Sequence, residues 1–90
     1  MYFCYILYSK TINQTYTGVT TNLKRRLKEH KEEPTRTTKR ADDYKLVWYA
    51  EFRTQKLAEK FEIYLKTKSG RAFMKKRLVG GDLANMINSM

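Results

Sequence analysis

The run Tyr2–Tyr8 (YFCYILY) carries no charge and no turn former. It is rich in aromatic and aliphatic side chains, so it reads as a strand buried on at least one face. It is far too short for a membrane-spanning helix, which needs about 20 apolar residues. It also lacks the basic flank of a signal peptide. A chain of 90 residues holds one domain with one small core. Most remaining apolar side chains must therefore pack on this strand. A soluble cytoplasmic protein is the expectation.

Around the strand the chain divides readily. Ser9–Asn13 supplies turn formers, and Gln14–Val19 (QTYTGV) reads as a second strand able to form a hairpin with the first. Gly18 within it suggests a bend or the close approach of another group. Thr20 and Thr21 offer a helix cap, and Asn22–Lys31 reads as a helix. Pro34 to Asp43 is a polar loop, Tyr44–Phe52 (YKLVWYAEF) a third strand, and Thr54 caps a helix over Gln55–Lys66. Leu57, Ala58, Phe61 and Leu65 form the apolar stripe of that helix. Gly70 is expected to break it, with a short basic helix over Arg71–Leu78. After Gly80 and Gly81, residues 79–90 form a tail, with Leu83, Met86, Ile87 and Met90 at helical spacing.

Charge narrows the partner. Nineteen Lys and Arg stand against nine Asp and Glu, a net charge of +10. Such self-repulsion in a small domain usually serves a polyanion, and nucleic acid gains from counterion release. A ribosomal or other stably RNA-bound protein would satisfy the same balance. No long basic amphipathic helix suggests a membrane surface. Lys24, Arg25, Lys39, Arg40 and Arg71 are the candidate phosphate contacts. One cysteine, Cys4, excludes an internal disulfide and reads as a buried structural thiol. One Cys and one His cannot make a zinc site unaided.

Helical wheels single out three polar residues. At about 100° per residue, Leu23, Arg26, Leu27 and His30 share one arc of roughly 100°. The two leucines must face the core, so Arg26 and His30 are carried beside the docked face. An arginine there is either snorkelling or lining a cleft, and with His30 it could form a phosphate-binding wall. In the later helix Glu59 lies about 145° from the centre of the apolar stripe and belongs in solvent. Glu62, at about 85°, sits on its margin, either paired with a neighbouring base or free to hold a hard cation such as Mg²⁺. Tyr5 and Tyr16 read by pattern as core aromatics.

The series Tyr16-Thr17-Gly18, Val19 through Leu27 (VTTNLKRRL) and Glu29-His30 resembles the YIG half of the GIY-YIG nuclease superfamily. Phe3-Cys4-Tyr5-Ile6-Leu7 occupies the place of the GIY half, keeping only its tyrosine. Ala58–Lys66 (AEKFEIYLK) resembles the stretch with the family's metal-binding glutamate, and Lys68–Leu78 the end of its short bacterial single-domain members. The similarity runs from Met1 to Leu78, a nuclease domain at 1–78. It is also similar to the N-terminal nuclease domain of the excinuclease incision subunit.

The resemblance implies an α+β fold, a three-stranded antiparallel sheet flanked by helices. It implies an endonuclease hydrolysing DNA phosphodiesters with one divalent cation, Mg²⁺ or Mn²⁺, in a role such as DNA repair. DNA is favoured over RNA as partner. Carried over by position, Tyr5 and Tyr16 are the paired tyrosines, Arg26 the helix arginine and Glu62 the metal ligand, while His30 matches a histidine of some relatives. Tyr5 is the expected base, its proton loosened by the surrounding lysines and Arg26. Phe3 and Cys4 replace the glycine and its neighbour, and the family's late asparagine has no match, Asn85 and Asn88 lying in the tail. With few residues left for groove reading, structure preference or weak specificity is expected. The competing class is a non-catalytic DNA- or RNA-binding module that keeps the basic face.

Overall fold

The computed structural model describes residues 1–32, 38–74 and 76. Three strands form one antiparallel sheet: β1 (Tyr2–Ser9), β2 (Gln14–Thr20) and β3 (Lys45–Phe52), in the order β2-β1-β3. The apolar run is thus the central strand, the place where burial on both faces is greatest. Four helical elements complete the described chain: α1 (Leu23–Glu32), a 3₁₀ turn (Thr38–Arg40), α2 (Gln55–Lys66) and α3 (Lys68–Phe73). This is the α+β arrangement expected. The tail at 79–90, with Asn85 and Asn88, lies outside the described residues, as does most of the Pro34 loop.

Alternation along β1 assigns the two sheet faces. Cys4 and Ile6 are fully buried and, with Leu65 of α2 and Met74, make the core cluster. Opposite them in the register stand Val19, Ala50 and Trp48, and Phe61 of α2 packs against Trp48 and Phe52 at ring separations of 5.5 and 5.6 Å. The other face carries Phe3, Tyr5 and Leu7. Between Ile6 and Leu7 the β1–β3 register slips by one, so Val47 falls between the partners Trp48 and Leu46.

Several sequence expectations are corrected in detail. The α1 cap is Asn22, whose Oδ1 accepts from the Arg25 amide at 3.0 Å; Thr20 instead braces Asn22. Thr54 caps α2 as expected, accepting from the Leu57 amide at 3.2 Å. The buried stripe of α2, however, is Ala58 and Leu65 with Phe61 half-buried, whereas Leu57 is 49% exposed. The aromatic packing of Phe61 on Trp48 and Phe52 sets which face of the helix is covered, and Leu57 lies off it. Gly70 does not end α2. Thr67 does, its hydroxyl donating to the Tyr64 carbonyl at 2.6 Å and accepting from the Gly70 amide at 3.0 Å. One side chain closes α2 and caps α3. Gly70 lies inside α3 because a Cβ there would fall on the Tyr64 carbonyl.

Asp43 fastens the hairpin tip to the segment entering β3. Its carboxylate accepts from the Ser9 hydroxyl at 2.5 Å, the Thr11 amide at 3.0 Å and the Thr11 hydroxyl at 2.9 Å. These bonds, Ser9's foremost, hold its pKa down at about 2. A depressed carboxylate stabilises the fold above its ordinary value of 3.8 and loses that contribution as pH falls toward about 2. Asp43→Asn should therefore be less stable than wild type at neutral pH, with the gap closing across that acid window. Urea midpoints measured from pH 7 to pH 2 check this; a constant gap would rule it out.

Candidate active site

Antiparallel pairing places Gly18, Tyr5 and Tyr49 in one row across the sheet. The Tyr5 ring leans over β2, and a Cβ on Gly18 would come within 2.5 Å of its hydroxyl oxygen and 2.6 Å of Cζ. Here the glycine is required by a close approach, as the sequence suggested.

Helix α1 crosses this face and delivers two polar side chains to the same phenol. The Tyr5 oxygen lies 2.8 Å from His30 Nε2 and accepts from Arg26 Nε at 3.3 Å. Arg26 and His30 are four residues apart, one helical turn, and so reach one point together. His30 does not cap the last turn of α1; it is 8% exposed and turned inward. Tyr16 closes the group, its ring edge-on to His30 at 4.9 Å and 6.3 Å from Tyr5. Glu29 ties down the outer side of Arg26, with Nη1 to Oε2 at 3.0 Å, and also pairs with Arg25.

The electrostatics correct one expectation. Burial pushes the Tyr5 phenol up to about 12, and the opposing hydrogen bond from Arg26 does not reverse it. The cations do not loosen its proton, because the ring is 1% exposed and a buried phenolate loses its hydration. Arg26 is held charged well above the ordinary guanidinium range, chiefly by its bond to Tyr5, with Glu29 and Tyr16 contributing. His30 is shifted down, first by burial and then by Arg26. Arg26 only donates, so the phenol accepts there; between the phenol and Nε2 either group can donate, according to which imidazole nitrogen carries the hydrogen. His30 Nδ1 is buried with no partner among the described residues.

Because His30 is buried neutral, the unfolded chain binds a proton before the folded one does. Stability should hold above pH 6.5 and decline as pH falls below it, toward the lower folded value. His30→Gln should flatten that part of the profile, read by urea denaturation between pH 7 and 5. A decline unchanged in the variant would remove His30 as its source.

Glu62 approaches from α2, which packs against all three strands. Its side chain is 21% exposed and lies 3.7 Å from Lys66 Nζ. Its charge acts on both Tyr5 and Cys4, raising each. Cys4 itself is fully buried, and burial foremost lifts its thiol to about 12, as fits a structural thiol. Among the described residues no three His, Cys, Asp or Glu cluster as a metal cage. The donor set still fits a small hard cation, which keeps several waters and takes one or two carboxylates. Glu62 would hold it, and the long, largely exposed pair with Lys66 is a weak competitor.

Of the candidate phosphate contacts, Lys24 and Arg25 are exposed on α1, Lys39 and Arg40 on the 3₁₀ turn, and Arg71 on α3. Arg40 reaches Gln14 at 3.4 Å.

The family model described as the GIY-YIG catalytic domain matches residues 1–77. The chain belongs to the GIY-YIG family. No curated protein and no solved structure matches it. GIY-YIG domains are nucleases, so the partner class is nucleic acid. Among the described residues of this GIY-YIG chain no helix is long and apolar enough to cross a membrane. Helical phase puts Arg26 and His30 beside the docked face of α1, where both meet Tyr5, and Glu62 at the margin of the α2 stripe; the tyrosines come from the family. Sequence reasoning missed Glu29 as the anchor of Arg26. The i, i+3 and i, i+4 spacings to Arg26 and Arg25 could have revealed it.

Proposed function

We propose that this chain is a divalent-metal-dependent endonuclease acting on DNA, with Tyr5, Tyr16, Arg26, His30 and Glu62 as its working set. The observation that carries the reading is the Tyr5 hydroxyl held between Arg26 Nε and His30 Nε2. A buried phenol is satisfied by one partner; an arginine and a histidine converging on one oxygen supply more than that need.

The chemistry follows from that oxygen. A phenol offers one proton and two acceptor sites. In the tautomer with His30 protonated on Nδ1, the phenol donates to Nε2 and accepts from Arg26, which leaves its second acceptor site unfilled for the attacking water. As the water oxygen bonds to phosphorus, the bond from phosphorus to the leaving strand's oxygen breaks and that oxygen takes a proton from solvent. The water proton passes to Tyr5 and the Tyr5 proton to Nε2, leaving an imidazolium on His30. Tyr5 never carries a free charge, which its pKa of about 12 would resist. His30 is the final acceptor and Tyr5 the relay. Arg26, fixed by Glu29, presents its remaining donors to the phosphoryl oxygens and stabilises charge developing there. Tyr16 packs the imidazole in its working orientation. A bound divalent cation, held by Glu62, supplies Lewis-acid neutralisation of the phosphate. Lys24, Arg25, Lys39, Arg40 and Arg71 serve as sequence-independent backbone contacts.

The purified chain is expected to cut DNA with Mg²⁺ or Mn²⁺ and to stop on addition of EDTA. A screen across single-stranded, duplex and branched DNA and RNA reads both activity and substrate. Salt-sensitive binding without cleavage under either cation would make the chain a binding module instead.

A further inference from the structure

Beside α1 and β3 lies a groove of about 520 Å³ whose lining includes Phe3, Asn22, Lys24, Leu27, Tyr49 and Glu51. That volume lies within the range of small-molecule sites, ~300–1,000 Å³. The groove exists because α1 covers the β1–β2 side of the sheet and leaves the β3 side open. Tyr5 and Tyr49 are direct partners in one row, yet Tyr5 is 1% exposed and Tyr49 51%. Phe3 and Glu51 form the next row on the same face. Phe3 packs beside the Tyr49 ring at a centroid distance of 6.1 Å and a tilt of 57°, with half of Tyr49 exposed.

We propose that this groove is a subsite for one unpaired guanine of the nucleic-acid substrate, a step that rests on the nuclease reading for its ligand. Tyr49 provides a stacking platform, which any base can use. Glu51 provides the discrimination. It makes no ion pair among the described residues, although the chain has a net charge of +10. A carboxylate beside a nucleic-acid site repels phosphate, and it suits a base edge that donates. Asn22 uses its side-chain oxygen to cap α1, so its amide NH₂ is left to donate. Carboxylate and amide together match the Watson–Crick edge of guanine, with O6 accepting and N1–H and the N2 amino group donating. That edge is occupied in a duplex, so the base must be single-stranded or extruded. Lys24, exposed at the rim, meets the adjoining phosphate.

The test is binding by the full chain in EDTA, where no cleavage intervenes. The probes are fluorescent oligothymidylates carrying one central guanine, one hypoxanthine, or thymine throughout. The guanine probe should bind about tenfold tighter than the thymine probe. Hypoxanthine, which lacks the N2 amino group, should fall between. Tyr49→Ala should weaken the guanine probe about tenfold, and Tyr49→Phe should restore it. Glu51→Ala should erase the guanine preference without weakening the thymine probe. Thermal unfolding checks that each variant is folded, which substitution of such exposed side chains should preserve. Equal binding of all three probes by wild type, a preference surviving Glu51→Ala, or Tyr49→Ala binding as wild type would each overturn the subsite. Guanine-preferring binding without cleavage would sink the nuclease reading alone, and cleavage without base preference would sink the subsite alone.

Discussion

Glu62→Gln is expected to lose cleavage by more than about a hundredfold, the scale of removing one electrostatic stabiliser from a phosphate or acyl transfer site, while binding DNA at least as well as wild type. Glutamine keeps the shape of a side chain that is 21% exposed, so its packing is conserved. What is lost is the charge that would hold the cation. The pair with Lys66 goes too, but an exposed i, i+4 pair contributes only about 0–1 kcal/mol. Removing a negative charge from this face does not weaken attraction to phosphates, so affinity in EDTA should hold or rise. Single-turnover cleavage with Mg²⁺, set against binding and urea unfolding, separates the effects. Cleavage by Glu62→Gln at the wild-type rate would end the assignment of Glu62 as metal ligand. Raising Mg²⁺ should not rescue it, since the amide keeps an oxygen but not the charge a hard cation requires.

Gly18→Ala is the second large effect, and it should strike stability and activity together. The new methyl would meet the Tyr5 ring at three atoms, with Cε1 also at 2.9 Å. The ring cannot swing away. It is buried, and its hydroxyl is engaged by His30 and Arg26. Overpacking of this kind costs about 1–3 kcal/mol. Moving the phenol also breaks the relay, since hydrogen bonds weaken steeply with small displacements. We expect a lowered urea midpoint and cleavage reduced to near that of Tyr5→Phe. The double variant Gly18→Ala/Tyr5→Phe should recover part of the stability, because the nearest clashing atom is gone, and none of the activity. Wild-type stability and rate in Gly18→Ala would refute the packing account.

These effects show where the sequence could be read and where it could not. The strands and α2 were legible because their signals are local: aromatic runs, turn residues and a capping threonine. The placement of Arg26 and His30 beside the docked face of α1, and of Glu62 at the margin of the α2 stripe, is legible because helical phase is arithmetic. The Tyr5 hydrogen bonds are not, since they join β1 to α1 across more than twenty residues and depend on which sheet face α1 covers. The same holds for Leu57. Periodicity places it in the apolar stripe, but the stacking of Phe61 on Trp48 and Phe52 chooses the rotation of the helix. The direction of the Tyr5 shift also escaped. Nearby cations are visible in sequence, but the depth of burial that outweighs them is not. Tyr49 and Glu51 alternate with half-buried neighbours like any strand residues, and only the offset position of α1 reveals them as exposed.

The strand order has a consequence for synthesis. β1 is the central strand and is made well before its second partner, β3, about forty residues later. While the ribosome extends the chain, β1 can find β2 in a hairpin, but a two-stranded hairpin is marginal alone. Its apolar face stays open until Trp48, Phe61 and Leu65 have emerged. The domain must therefore fold late, as one event, and during that interval the positive charge that later meets a polyanion also keeps nascent chains from pairing with one another.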